Sequence, residues 1–192
     1  MKLSGSYQIN LEKQKVWEAL NDPKILQKTI PGCEEFVKKS TTEFTATATN
    51  KIGPFNASFT GDIELKDLDP PNSYKIIGSG NSPVGFANGE ATVKLEDKDN
   101  GTMLTYTVEA NVGGKIAQVG SRLIDMTAKK MADIFFGNFS KLISKDKNEE
   151  VEKLRGEEKS EQEVTREKKS KNKIVIYFSL AILVALSIYF LG

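Results

Sequence analysis

The chain has 192 residues, with 27 basic and 26 acidic side chains, one cysteine and no histidine. Residues 1–143 hold 17 basic and 17 acidic side chains, and this balance gives no electrostatic reason to expect nucleic acid binding. Lack of histidine excludes a histidine-based catalytic triad or zinc site, and the single Cys33 excludes a disulfide within these residues.

Alternating apolar and polar residues predict six β-strands in the first 143 residues. In chain order the predicted strands cover residues 3–9, 43–50, 55–65, 74–80, 85–95 and 102–112. Turn-forming residues separate neighbouring strands, as in DPPN at 69–72 and DKDNG at 97–101. These hairpin-linked strands predict one antiparallel sheet.

Helical periodicity occurs in two places. Between the first two strands, EKQKVWEALND predicts a short amphipathic helix, and DPKILQKTI predicts a second, with Asp22 as N-cap and Pro23 at the first helical position. A long helix is predicted for residues 115–143, directly after Gly113 and Gly114, because apolar residues recur at steps of three and four. The predicted fold class is therefore α+β, with a curved antiparallel sheet wrapped around a long C-terminal helix.

The predicted inner faces of the strands carry unusually small residues. Glycine or alanine occupies positions on several strands: Ala46, Ala48, Ala57, Gly61, Gly78, Gly80, Ala87, Gly89, Ala91 and Ala110. A filled core normally uses Val, Ile, Leu or Phe at such positions. Two interpretations stay open, namely close contact between sheet and helix, or a cavity between them for an apolar ligand.

The cavity interpretation gives a set of candidate site residues. The candidate lining residues are Ala46, Ala57, Phe59, Gly78, Ala87, Gly89, Ala91, Tyr106, Gly120, Ile124 and Met131. Two apolar turns, IGPF and SPVGF, either fold inward or form an exposed docking lip for a bilayer or a partner enzyme. The candidate lip residues are Ile52, Phe55, Val84 and Phe86.

Arg122 is the one arginine in residues 1–143. It is either half of a surface ion pair with Asp125 or Asp133, or a polar contact at the cavity or at a docking surface. Both interpretations stay open from the sequence.

The last fifty residues have a different composition. Residues 144–173 carry 19 charged side chains out of 30, which predicts a flexible linker. From Ile174 to Leu191 there is no charge, and a helix of that length measures about 27 Å, close to the roughly 30 Å hydrocarbon core. Four lysines, at positions 168, 169, 171 and 173, precede this span. Because positive charge is retained in the cytoplasm, the sequence predicts a single-pass membrane anchor with its N-terminal domain on the cytoplasmic face.

Three motifs resemble the G-subunit family of carbon monoxide dehydrogenase. They are IPGCE (Ile30–Glu34), DLDPPNSY (Asp67–Tyr74) and GSRLID (Gly120–Asp125). This family is a branch of the START/polyketide-cyclase-like helix-grip (SRPBCC) superfamily, and the resemblance covers residues 1–143. It implies a helix-grip ligand-binding domain at 1–143, followed by the linker at 144–173 and a transmembrane helix at 174–191.

The resemblance also implies a function. Family members are described as accessory proteins that link a cytoplasmic molybdenum hydroxylase of the carbon monoxide dehydrogenase type to the membrane and carry a respiratory quinone, held non-covalently. No metal and no covalent cofactor is expected. The alternatives are a pure recruitment factor without ligand transfer, or an enzyme of the cyclase or hydratase kind. Such an enzyme needs an acid–base pair, and the inner faces offer only Tyr7 and Tyr106, while Cys33 has no histidine to activate it.

Overall fold

The computed structural model describes residues 1–144, and Met1–Lys145 forms one compact unit. The predicted membrane span at 174–191, and all of the predicted linker except Ser144, lie outside the described residues. Within residues 1–144, no helix combines the length and the apolar character needed to cross a bilayer.

Seven strands form one curved sheet in the order β1-β7-β6-β5-β4-β3-β2, and every neighbouring pair is antiparallel. The strands are β1 (Lys2–Ile9), β2 (Cys33–Lys38), β3 (Glu43–Ile52), β4 (Phe55–Asp69), β5 (Ser73–Ser82), β6 (Gly85–Lys98) and β7 (Gly101–Gly113). Side chains alternate between the two faces of the sheet, so that one face is buried or half-buried and the other is exposed. The predicted α+β class and antiparallel sheet are confirmed.

Two short helices, α1 (Lys13–Leu20) and α2 (Pro23–Thr29), connect β1 to β2, and a third helix, α3, covers residues 121–144. The predicted cap of α2 is confirmed, because the Asp22 side chain accepts a hydrogen bond of 2.8 Å from the backbone N–H of Lys24. This bond satisfies one of the N–H groups that the first turn of a helix leaves free.

The predicted start of the long helix is wrong. A 3₁₀-helix at Lys115–Val119 follows β7, and α3 begins only after Gly120. Gly114 and Gly120 have φ angles of 81° and 90°, which are left-handed values that an α-helix does not contain. Ile116 holds the 3₁₀-helix in place, since it is almost completely buried and its backbone N–H donates to the carbonyl of Val84 at 2.9 Å.

Strand β2 was not predicted from the sequence. It lies at the edge of the sheet and pairs only with β3. Phe36 is its one buried residue, and an irregularity between Cys33 and Glu35 shifts the register. A single buried position on a bulged edge strand leaves no alternating pattern to detect.

The main core lies on the inner face of the sheet, between the strands and the helices. Phe139 and Ile143 of α3 pack there with Val16 and Leu20 of α1. The buried residues that the sheet contributes are Ile9, Phe36, Phe44, Leu65, Tyr74, Val93, Leu95, Leu104 and Tyr106. Full burial of one such side chain stabilises the fold by about 1.5–3 kcal/mol, so the second half of α3 is held firmly on the sheet.

Candidate functional site: an apolar cavity under the C-terminal helix

A cavity of about 470 Å³ lies on the inner face of the sheet, beside the main core. Strands β1 and β3–β7 contribute its sheet side, α3 covers it, and α1, α2 and β2 close one end. The volume falls within the range of about 300–1,000 Å³ that is typical of small-molecule sites.

The lining of the cavity is almost entirely apolar. The lining residues on the sheet are Met1, Leu3, Phe36, Phe44, Asn50, Ile63, Leu65, Tyr74, Ile76, Ala91, Val93, Leu104, Tyr106 and Val108. Those on the helical side are Leu20, Leu26, Ile30, Pro31, Ala128, Met131, Ala132, Phe135 and Phe136. No charged side chain occurs among the described residues that line it. The one charged group on a lining residue is the Met1 ammonium, which donates to the carbonyl of Ala110 at 2.8 Å, so an ionised ligand group placed deep inside would be left unpaired.

Three lining side chains carry polar atoms. Asn50 uses its Nδ2 to donate to the carbonyl of Pro31 at 3.0 Å. Tyr74 is 4% exposed and packs edge-to-face against Trp17, with 5.2 Å between the ring centroids. Tyr106 lies flat across β1, because Gly5 has no side chain and a Cβ there would meet the Tyr106 hydroxyl at 2.7 Å.

The electrostatics of the site keep its phenols neutral. Burial raises the pKa of both Tyr74 and Tyr106. Outside the cavity, the Tyr7 hydroxyl donates to the carboxylate of Asp133 at 2.5 Å, and burial, followed by this hydrogen bond, raises the pKa of Tyr7. These groups can therefore donate hydrogen bonds at neutral pH but are poor general bases.

The inner face of the sheet has two different ends. The helical end, next to α1 and α2, carries large buried residues: Leu65, Tyr74, Val93, Leu95, Leu104 and Tyr106. The tip end, towards the β3–β4 and β5–β6 turns, carries small half-buried residues: Ala46, Gly61, Gly78, Gly80, Ala87 and Gly89. The cavity is enclosed at the helical end, and solvent reaches the inner face at the tip end.

Two tip-end glycines are required because strands approach each other closely. A Cβ on Gly61 would overlap the carbonyl oxygen of Ser79, and a Cβ on Gly89 would overlap that of Glu109. Real Cβ atoms do not approach backbone oxygens so closely. The close-contact interpretation of the small residues therefore holds at these two positions.

The other two tip-end glycines face empty space. A Cβ on Gly78 would meet no atom within 4 Å, and one on Gly80 would meet Phe59 at 3.9 Å. Gly78 of β5 pairs with Gly89 of β6, and Gly80 of β5 pairs with Gly61 of β4. In each pair, the glycine on β5 faces open space and its partner makes the close approach. Neither glycine borders the cavity, so the open space beside Gly78 and Gly80 lies beyond its lining.

Three of the candidate lining residues, Ala91, Tyr106 and Met131, border the cavity. Ala46 packs against the main core, and Ala57 is buried near the β3–β4 turn. The remaining candidates lie towards the tip end or on α3. Phe59, Gly78, Ala87 and Gly89 are on the half-buried inner face, Gly120 is exposed just before α3, and Ile124 is half-buried in the first turn of α3.

The candidate lip residues do not share one surface. Ile52, Phe55 and Val84 are half-buried, whereas Phe86 is 39% exposed and lies across Gly113. Gly113 is needed there, because a Cβ on it would overlap the Phe86 ring.

Arg122 and Cys33, which the sequence analysis also considered, do not line the cavity. Arg122 is exposed on the first turn of α3 and, within residues 1–144, forms no ion pair with Asp125 or Asp133. The Cys33 thiol donates to the carbonyl of Glu35 at 3.3 Å, and burial raises the pKa of this thiol, which disfavours the reactive thiolate.

Sequence reasoning missed the helical-end lining, above all Leu26, Ile30, Tyr74 and Phe136. A signal was present on β5, because the alternation that places Gly78 on the inner face also places Tyr74 there. The spacing of Leu26 and Ile30 marks one face of α2. Attention to small residues alone favoured the tip end, where the strands lack large side chains.

A curved antiparallel sheet, a C-terminal helix across it and an apolar cavity between them define a domain of the helix-grip (SRPBCC-like) class. The model of the carbon monoxide dehydrogenase G-subunit (CoxG) family matches residues 5–144. The chain therefore belongs to the CoxG family, as its motifs predicted. A search of curated proteins gave no match.

Solved structures share this fold. A conserved protein from Geobacillus kaustophilus is 33% identical with a TM-score of 0.72, and the match covers 76% of this chain and 96% of that one. A Mycobacterium smegmatis protein is 17% identical, with a TM-score of 0.58 and coverage of 76% and 92%. The Zhui aromatase/cyclase from a Streptomyces species is 12% identical, with a TM-score of 0.55 and coverage of 75% and 93%. The last two likenesses establish the fold alone.

Proposed function

We propose that this protein is a non-catalytic, membrane-anchored accessory protein that binds a respiratory quinone. The observation that carries the proposal is the cavity of about 470 Å³ with its almost wholly apolar lining of uncharged side chains. A quinone ring with an isoprenoid tail is a neutral, largely apolar molecule, and such a site binds it by removing apolar surface from water.

The chemistry of the lining supports a binding role rather than catalysis. Asn50 is engaged with a backbone carbonyl, and burial raises the pKa of Tyr74 and Tyr106. These residues supply no general base that is ionised near neutral pH, and the chain contains no histidine. The aromatase/cyclase fold neighbour is too distant in sequence to transfer its activity to this chain.

The family supplies the partner. Its name points to an enzyme of the carbon monoxide dehydrogenase type, and we propose a cytoplasmic molybdenum hydroxylase as the partner. The uncharged segment at 174–191 and the lysines before it support a tail anchor with the domain in the cytoplasm. The linker at 144–173 then keeps the cavity at high effective concentration near both lipid and enzyme.

The carrier function is tested by filling the cavity. Ala91→Phe adds a large side chain to the lining, and Thr92→Phe adds the same side chain to the outer face of the same strand. In membrane vesicles with the partner enzyme, we expect Ala91→Phe to abolish electron transfer from the enzyme to membrane quinone while both variants recruit the enzyme equally. Full electron transfer in folded Ala91→Phe would mean that the protein only recruits the enzyme.

The proposed topology has a separate test. Protease added to intact spheroplasts should leave the linker at 144–173 uncut, and detergent permeabilisation should allow cleavage there. Cleavage without permeabilisation would put the domain on the outer face of the membrane. This outcome would contradict the proposal of a cytoplasmic partner but would not bear on the proposal of ligand binding.

A further inference from the structure

Tyr74 is a buried residue whose hydroxyl forms no hydrogen bond within residues 1–144. The residue is 4% exposed and borders the cavity. Every completely enclosed side-chain nitrogen or oxygen in residues 1–144 has a hydrogen-bond partner, whereas the Tyr74 hydroxyl has none among those residues. Its oxygen is therefore not completely enclosed, and the space that the residue borders is the cavity. Polar groups of buried residues normally have a partner, so this hydroxyl is available to donate a hydrogen bond to a ligand atom in the cavity.

An unfilled strip begins two positions beyond Ile76 on the strand that carries Tyr74. Tyr74, Ile76, Gly78 and Gly80 share the inner face of β5, which runs on to Ser82 at the tip end, and Ile76 borders the cavity. Gly78 and Gly80 leave open the space that side chains would fill. At about 3.3 Å per residue, the inner face of β5 from Tyr74 to Ser82 is about 26 Å long, a length that suits a ligand with a long, thin, apolar chain.

We infer that the ligand binds with its head inward: a neutral carbonyl head group accepts a hydrogen bond from Tyr74, and an apolar tail runs over Gly78 and Gly80 to the tip end. This inference rests on the proposed function and adds an orientation and a head-group class to it. A carboxylate or phosphate head is disfavoured, because the lining has no charged side chain to pair with it. Burial keeps Tyr74 protonated and therefore able to donate.

The orientation has a direct optical readout. Trp17 is the one tryptophan in the sequence, and its ring lies 5.2 Å from that of Tyr74. Quinones quench indole fluorescence at short range, so a quinone ring at Tyr74 would quench Trp17 strongly. A ring at the tip end, with its tail inward, would lie roughly 20 Å or more away and would leave the fluorescence almost unchanged.

The experiment uses the full chain in lipid nanodiscs with two probes, 2-methyl-1,4-naphthoquinone and the same ring with a four-isoprene tail. Binding is scored by native mass spectrometry and orientation by Trp17 quenching. We expect both probes to bind and to quench. Binding of the tailed probe without quenching overturns the head-inward orientation. If neither probe binds the wild-type chain, the proposed function is contradicted instead.

Removing only the Tyr74 hydroxyl tests the head-group contact. Loss of one neutral hydrogen bond should weaken binding of both probes by about 3- to 10-fold in Tyr74→Phe. The matched control is Tyr7→Phe, whose hydroxyl contacts Asp133 outside the cavity, and it should stay within about two-fold of wild type. Equal affinities for wild type and Tyr74→Phe would overturn the contact.

Filling the strip tests the path of the tail. Gly78→Leu should weaken binding of the tailed probe by about ten-fold or more, while the tailless probe stays within about two-fold. Gly137→Leu is the matched control, because Gly137 lies on α3 with open space beside it. If Gly78→Leu does not fold, Gly80→Val serves the same purpose. Equal affinity of the tailed probe for wild type and the folded strip variant would overturn the path.

Discussion

The helical end and the tip end of the inner face belong to the same strands but differ in the size and the burial of their side chains. At the helical end, Tyr74, Val93 and Tyr106 lie side by side across β5, β6 and β7 and are all buried. Near the turns, Gly80 and Ala87 are paired in the same way and remain half-exposed. One end is therefore a packed core beside the cavity, and the other is a half-exposed surface of small residues.

The difference shows how one sheet can be stable and still leave part of its inner face open. Large side chains at one end bury enough apolar surface to hold α3 through Phe139 and Ile143. The tip end gives up this packing, and exposed apolar side chains such as Met126, at 61%, remain on the first turns of α3. The C-terminal part of α3 is therefore packed on the sheet, whereas its first turns keep exposed apolar side chains.

The largest expected effect comes from the packed end. Phe139→Ala removes a side chain with no exposed surface and should lower the free energy of unfolding by about 3–5 kcal/mol. Phe59→Ala removes the same atoms from the half-buried tip end and should cost about 1–2 kcal/mol. Urea denaturation of both variants measures the difference. Equal losses would mean that the two ends are packed alike.

Alanine at two tip-end glycines separates close approach from open space. Gly61→Ala forces a Cβ against the Ser79 carbonyl and should destabilise the domain by about 1–3 kcal/mol or more. Gly78→Ala meets no atom and should stabilise the strand by about 0.5–1 kcal/mol. Thermal unfolding of the two variants should show a lower melting temperature for Gly61→Ala and a higher one for Gly78→Ala. Destabilisation by Gly78→Ala would show that no open strip exists there.

A smaller effect is expected at the cap of the helix that closes the cavity. Asp22→Ala removes the hydrogen bond to the Lys24 backbone N–H and should cost about 1 kcal/mol. Asp22→Asn keeps an accepting oxygen and should be nearly neutral. Because α2 carries Leu26 of the lining, hydrogen exchange should rise in α2 for the alanine variant and remain unchanged at the tip end. A rise spread evenly over both ends would argue against their independence.

Much of the fold was predictable because it depends on local signals. Period-two alternation located six of the strands, and the Asp22-Pro23 pair located the start of α2. Strand β2 escaped because Phe36 is its one buried residue. The start of α3 escaped because the helical periodicity of 115–119 is compatible with a 3₁₀-helix, and only the left-handed Gly120 separates the two.

The site was harder to predict because it depends on which residues face each other across the sheet. Glycine looks the same in sequence whether it permits close contact, as at Gly61, or leaves open space, as at Gly78. The difference comes from the twist and register of neighbouring strands, which no single segment encodes. The candidates Ala91, Tyr106 and Met131 border the cavity because the assembled sheet and α3 bring them together.

Ligand occupancy is the most direct test of the account. The full chain would be extracted from its native membrane in lipid nanodiscs and released intact into a mass spectrometer. We predict one respiratory quinone per chain, retained by Thr92→Phe and lost from Ala91→Phe, which occupies the cavity. A folded wild-type chain without any bound lipophilic molecule, or equal occupancy in the two variants, would contradict the claim that the cavity is a ligand site.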